Sequence, residues 1–195
     1  MTPDEMKQEL EILLEETTTA LGSTDQTYVH LLHMLNKASK LSIPSRLYQG
    51  QLVFFKYKPQ SKQYVNGNKY YDKYPLVMVT ETRKGGFYGL NLHFLQPNLR
   101  RFLFEAIVDD LPTIKATEEW RTRVKINYDR LVARRQFRFF EPCYRQYNWK
   151  SMRRRPVVIP FEIWEEMVMS NTGRIERAKP ITVYRESYNQ VIRKG

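Results

Sequence analysis

The residues in this chain best suited to chemistry are arginines and lysines interleaved with aromatic rings. Between Lys115 and Arg155 thirteen basic residues outnumber Glu118, Glu119, Asp129 and Glu141, a local net charge of +9. Trp120, Tyr128, Phe137, Phe139, Phe140, Tyr144, Tyr147 and Trp149 share the stretch. Guanidinium groups hold phosphate oxygens through two parallel hydrogen bonds, and aromatic faces stack on unpaired bases. This interleaving suits a grip on a nucleic-acid backbone near a frayed end, or on an acidic protein surface. The candidate contacts are Arg134, Arg135, Arg138, Arg145, Lys150 and the triplet Arg153, Arg154 and Arg155, which is the densest charge in the sequence and is followed by Pro156. The triplet reads equally as a solvated turn ahead of Val157-Val158-Ile159. Most of the aromatics are required by a core, which leaves Tyr147 and Trp149 as the candidates for base stacking.

Catalytic and metal-binding sets are harder to assemble. His30 and His33 stand three apart on one predicted helix, but no nearby Cys, Asp or Glu completes a metal site. His93 lies among Leu92, Phe94 and Leu95, where a hydrogen-bonded structural histidine is expected. Asp109 and Asp110 are adjacent and so do not face one another on a helix. Asp72, in an aromatic stretch, needs an ionic partner if partly buried, and Arg100 or Arg101 could supply it. The sequence contains no phosphate-cradling glycine loop, nucleophile elbow or zinc-binding histidine pair. The expectation is a non-enzymatic protein with no catalytic residues, no metal and no cofactor.

Composition points the same way. Lys and Arg outnumber Asp and Glu by 32 to 21, a net charge of +11 over 195 residues, and such a field attracts polyanions or acidic surfaces. Cys143 is the single cysteine, which rules out an intrachain disulfide and suits a reducing interior. The start, MTPDEMKQEL, lacks a signal-peptide pattern, and no apolar run approaches the roughly 18 residues of a membrane span. Neither secretion nor membrane insertion is expected.

The elements that must position these residues follow from periodicity. Residues 1–43 read as two helices, since Met6, Leu10, Leu13 and Leu14, then Tyr28, Leu32 and Leu35, recur at helical spacing, with Ser23 and Gln26 as a capping box. Asp4, Glu5, Glu9, Glu11, Glu15 and Glu16 against Lys7 give the first of these helices a net −5, so the rest of the chain carries +16. From 46 to 96 the period changes. Gln51–Tyr57, Tyr74–Thr80 and Phe87–Leu92 are predicted strands, and Lys84-Gly85-Gly86 is predicted to form a tight hairpin with glycines at positive φ. Short strands so close together predict a small SH3-like barrel. Residues 97–195 read as a basic, mainly helical part packed on it, with helices from Pro97, from Thr117 towards Arg135, over Phe161–Met169 and over Thr182–Ile192. The expected class is α+β.

Five segments carry a resemblance: GQLVFFKYKP at 50–59, YYDKYPLVMV at 70–79, GGFYGLNLHFLQPNLR at 85–100, EPCYRQY at 141–147 and EIWEEM at 162–167. In order, spacing and aromatic content they resemble small tailed-bacteriophage virion proteins described as DNA end protectors, over roughly 46–190 and without the acidic arm. The resemblance implies a virion protein, made in the host cytoplasm, that shields the ends of packaged double-stranded DNA near the head and neck. Neighbouring phage structural proteins are the other expected partners, met through the acidic arm. The competing expectation is a purely structural neck, baseplate or tail-completion protein whose basic surface meets acidic neighbours.

Overall fold

In a computed structural model the described residues are 46–58, 63–65, 68–108, 118–133, 135–152, 156–169, 175–176 and 178–194. The acidic arm, His30 and His33, Asp109 and Asp110, Arg134, and the Arg153–Arg155 triplet lie outside them. The strands are β1 (Leu52–Phe54), β2 (Gln63–Val65), β3 (Asn68–Asp72), β4 (Leu76–Arg83), β5 (Gly86–Asn91), β6 (Tyr144–Asn148), β7 (Val157–Val158) and β8 (Ile175–Glu176). The helices are α1 (Pro97–Val108), α2 (Glu118–Val132), α3 (Trp164–Met169) and α4 (Pro180–Lys194).

The α+β class matches the expectation, and β1, β4 and β5 occupy the three predicted strands. They join β6 and β7 in an antiparallel sheet of order β6-β5-β4-β1-β7, while β2-β3-β8 forms a second sheet. The expected barrel is not seen as a closed ladder: among the described residues no pairing joins the edge strands β6 and β7. A 3-10 turn at Trp149–Ser151 carries the chain from one edge towards the other instead.

The β4–β5 hairpin departs from the predicted turn chemistry. Neither Gly85 nor Gly86 takes positive φ; among the described glycines only Gly50 does. Gly86 is required by space, because a Cβ there would collide with the main-chain carbonyl of Tyr147 on β6. Closer to the middle of the sheet, β4 shifts register between Val79 and Glu81, an irregularity of the kind that bends a strand.

Alternation along the strands produces two unequal faces. Leu52, Phe54, Leu76, Met78 and Leu90 point into a large core completed by Leu103 of α1, Val124 of α2, Trp164 of α3 and Val183 of α4. Trp164 is fully buried, and its indole N–H donates to the Ile159 carbonyl at 2.9 Å, so its polar atom is satisfied. The opposite face is a smaller cluster of Leu47, Val53, Phe55, Tyr57, Val77, Val79, Phe87 and Tyr147.

Helix faces follow the predicted pattern with two exchanges. Pro97 opens α1 at a position where its missing N–H costs nothing. The helical spacing of Leu99, Phe102, Leu103, Ala106 and Ile107 predicts that these share one side, with Arg100 and Arg101 elsewhere, yet Arg100 is buried and Phe102 is exposed. Arg100 donates to the carbonyls of Leu95 (2.9 Å) and Val168 (3.3 Å), so the guanidinium closes open carbonyl groups inside the protein. Phe102 stacks by one face on Phe140, centroids 6.0 Å apart. On α2, where periodicity predicts Trp120, Val124, Tyr128, Leu131 and Val132 inward, Val124 and Leu131 are buried but Val132 is exposed.

Candidate nucleic-acid interface

A basic exposed surface lies at one end of the five-stranded sheet. Trp149 donates its backbone N–H to the carbonyl of Gly85 at the β4–β5 tip (3.1 Å), and Lys58 donates its own to Ser151 (2.9 Å). Tyr57 bridges Met152. The turn Trp149–Ser151 is thus clamped between the hairpin tip and the extension of β1. Three residues span at most about 11 Å, which gathers Lys58, Lys84 and Lys150 on one rim. All three are exposed, and none pairs with a carboxylate among the described residues.

Arg83, beside Lys84, is held ready. Its guanidinium lies 4.4 Å over the Tyr88 ring, its Nε donates to Glu81 at 2.9 Å, and Nη1 donates to the Tyr88 hydroxyl at 3.3 Å. Tyr88 in turn stacks on Tyr144, 5.4 Å away and 9° from parallel. Fixing a long side chain in this way lowers the entropy lost when it binds a partner.

The sequence-predicted contacts separate in space and in role. Lys150 belongs to the rim. Arg138 is exposed on a different element, the 3-10 turn Arg135–Phe139, whose Phe137 packs edge-on against Tyr128 of α2. Arg135 opens that turn. Arg145 is already engaged: it donates to the Tyr144 carbonyl and the Ser187 hydroxyl, both at 2.9 Å, and lies over Phe94. It ties β6 to α4.

The two stacking candidates also differ. Tyr147 is 4 % exposed, stacked on Phe87 at 5.2 Å and flanked edge-on by Phe55 and Tyr57, so its ring is core. Burial, aided by the charge of Asp72, pushes its hydroxyl well above the ordinary tyrosine range. Trp149 is half-buried, tilted against Phe87 at 5.4 Å, and sits on the rim itself. Missing from the sequence reading were Lys58, Arg83 and Lys84. The signal for two of them was present in the Arg83-Lys84-Gly85 run, since a basic pair on a hairpin tip is solvated and projects outward.

Asp72 lies deep inside, with His93 as its closest ionic partner. Its Oδ2 is 2.8 Å from His93 Nδ1 and accepts from Asn91 Nδ2 at 3.0 Å, while Oδ1 accepts from the Tyr74 N–H at 3.2 Å. The expectation of an arginine partner holds only through the field: Asp72 acts to raise the pKa of Arg100, against a larger lowering by burial. Asn91 Oδ1 accepts from the His93 backbone N–H at 3.0 Å and so caps the 3-10 turn that carries the imidazole. His93 is the hydrogen-bonded structural histidine expected.

Cys143 is fully buried, and burial pushes its thiol up to about 12. Among the described residues no three His, Cys, Asp or Glu side chains converge as a metal site, and no helix is long and apolar enough to cross a membrane.

Comparison with known proteins gives one positive result. No curated protein and no solved structure matches the chain significantly. A family model described as phage T4 terminal DNA protecting protein matches residues 5–177, including most of the acidic arm that the segment resemblance left out. The match covers well over half of the chain, both sheets and the clamped turn that forms the basic rim, and the chain therefore belongs to the phage T4 terminal DNA protecting protein family.

Proposed function

We propose that this protein binds the ends of packaged DNA within the phage particle, without catalysis, and shields them by occupying the terminal phosphates. The observation that carries this reading is the rim of Lys58, Lys84 and Lys150, none of them paired with a carboxylate among the described residues, with Arg83 preset beside it. Ammonium and guanidinium groups of this kind contact the backbone and confer no sequence preference. Trp149 offers a half-exposed ring for a terminal base. Arg153, Arg154 and Arg155 follow Met152 directly in the chain and add three positive charges next to this turn in the sequence. The sealing of His93 and Asp72 in the core supports a non-enzymatic role, as a buried dyad has no route to a substrate. The order β7-β1-β4-β5-β6 and the 3-10 turn between the last two strands in sequence support reading the sheet as SH3-like. A place near the head and neck fits a protein that must meet the DNA terminus.

The test is DNA binding as a function of salt. Each neutralised phosphate contributes about −0.9 to the slope of log affinity against log salt, so four to six contacts give about −4 to −5. Replacing Arg153, Arg154 and Arg155 by Ala should flatten the slope by about 2.7. Affinity that hardly responds to salt would overturn the reading. A second reading has its own observation: Phe102 and Phe139 are exposed beside Arg101 and Arg138 on the helical side. Such a surface fits a neighbouring particle protein in a neck, baseplate or tail-completion assembly. Loss of the variant from purified particles with DNA affinity intact would favour it.

A further inference from the structure

Tyr147, Phe87 and Trp149 form a series of rings that leads out of the core. Tyr147 stacks on Phe87 with centroids 5.2 Å apart and planes 28° from parallel, and Trp149 meets Phe87 at 5.4 Å and 47°. Tyr147 and Phe87 are buried whereas Trp149 is only partly so, which makes the indole the outermost member. Its main chain is fixed on both sides. The Trp149 N–H donates to the Gly85 carbonyl and the Trp149 carbonyl accepts from the Met152 N–H, both at 3.1 Å. A ring whose backbone is already held loses little freedom when a flat ligand stacks on it.

Charge separates this ring from the other accessible ones. Lys150 follows it, and Lys84 precedes the glycine whose carbonyl holds it; both are exposed, and neither pairs with a carboxylate among the described residues. Phe102 lies in sequence between Arg101 and the exposed Glu105, and Phe139 between Arg138 and the exposed Glu141, so acids offset the arginines there. The rings of Tyr48 and Tyr88 already carry the guanidinium groups of Arg46 and Arg83, at 6.0 and 4.4 Å. Trp149 thus combines an accessible aromatic surface with uncompensated positive charge. Inside a duplex both faces of each base are covered by its neighbours, so a single base reaches a protein ring only where the strand is unpaired. A blunt terminus presents a whole base pair, which is wider than one partly covered indole.

Resting on the DNA-binding reading given above, we propose that Trp149 stacks on the unpaired last base of a single-stranded tail, with Lys84 and Lys150 on the adjoining phosphates, so that the rim selects tailed DNA ends over blunt ends and over duplex interior. The selection is by pairing state and not by sequence, because every base has a face to stack. The lysines supply attraction to any DNA, and the indole supplies the preference for an end.

Three DNAs with the same number of phosphates test this in the full-length protein: a duplex closed by a hairpin at each end, a blunt duplex, and a duplex with a short single-stranded tail. The tailed DNA should bind most tightly. Trp149→Ala should lose about 5- to 150-fold in affinity for it, with the blunt affinity and the salt slope unchanged, whereas Trp149→Phe should keep most of the preference. A merely structural role for the indole would lower binding to all three DNAs alike and would overturn the inference. So would equal affinity of the unaltered protein for tailed and blunt duplex, although the DNA reading would then stand; failure to bind any of the three would overturn that reading as well. A second measurement needs no variant. With 5-bromouracil as the last base of the tail, irradiation should crosslink the DNA to Trp149, and crosslinks confined to other residues would overturn the assignment.

Discussion

Two clusters of ionisable side chains in this protein sit at opposite extremes of burial. Asp72 and His93 are 4 % and 0 % exposed, and each polar atom of the carboxylate meets a donor. Lys58, Lys84 and Lys150 stand in solvent without a carboxylate among the described residues. By residue type the first cluster resembles catalytic chemistry and the second an ordinary wet surface. The fold assigns the roles differently. A buried charge must be matched within the protein to survive desolvation, so nothing is left over for a ligand. Charges held together on a clamped turn and left unmatched can attract a polyanion.

The comparison is broken most directly at Asp72. Replacing it with Ala removes the acceptor of Asn91 Nδ2 and the ionic partner of His93 Nδ1 in the core and should cost about 3–5 kcal/mol of stability, measured by urea unfolding, whereas the rim needs no such partner. Retained stability would mean that the inner cluster is as dispensable as the outer one. Gly86→Ala connects the two regions, since its Cβ meets the Tyr147 carbonyl and must displace β6 from the hairpin that anchors Trp149. The expected loss is about 1–3 kcal/mol, and DNA affinity should fall with it because the clamp on the rim loosens.

A smaller effect should appear at alkaline pH. Burial raises the Cys143 thiol to about 12 and the Tyr184 hydroxyl to about 12 in the folded state. A raised folded value means that the native state keeps a proton the unfolded chain releases. The associated stability is complete below about pH 8.5 for the thiol and about pH 10 for the phenol, and is lost as pH climbs towards 12. In Cys143→Ala the decline should begin nearer pH 10; an unchanged onset would remove the thiol from the account. The smallest change in stability should come from the rim. Replacing Lys58, Lys84 and Lys150 together by Ala should shift unfolding by no more than about 0.5 kcal/mol. The same variant should flatten the DNA salt slope by about 2.7, and a flat response in both measurements would reduce the rim to plain solvated surface.

Patterning alone established the α+β class, the three central strands and, among the described residues, the approximate positions of the helices. Alternation and helical periodicity are local, and burial of one apolar face enforces them wherever the chain folds. Composition fixed the basic character and the polarity between arm and body. Periodicity did not separate Arg100 from Phe102, because the helix offers both a place near the core and only the carbonyls of Leu95 and Val168 decide which one enters. Likewise Tyr147 and Trp149 are two residues apart in a basic, aromatic stretch, yet one is core and the other rim. That division comes from the pairing of β6 with β5, which points Tyr147 at Phe87, and from the turn that begins at Trp149. The rim itself joins positions 58, 84 and 150, separated by dozens of residues. Strand order brings them together, and strand order is set by non-local pairing that no single stretch of sequence encodes.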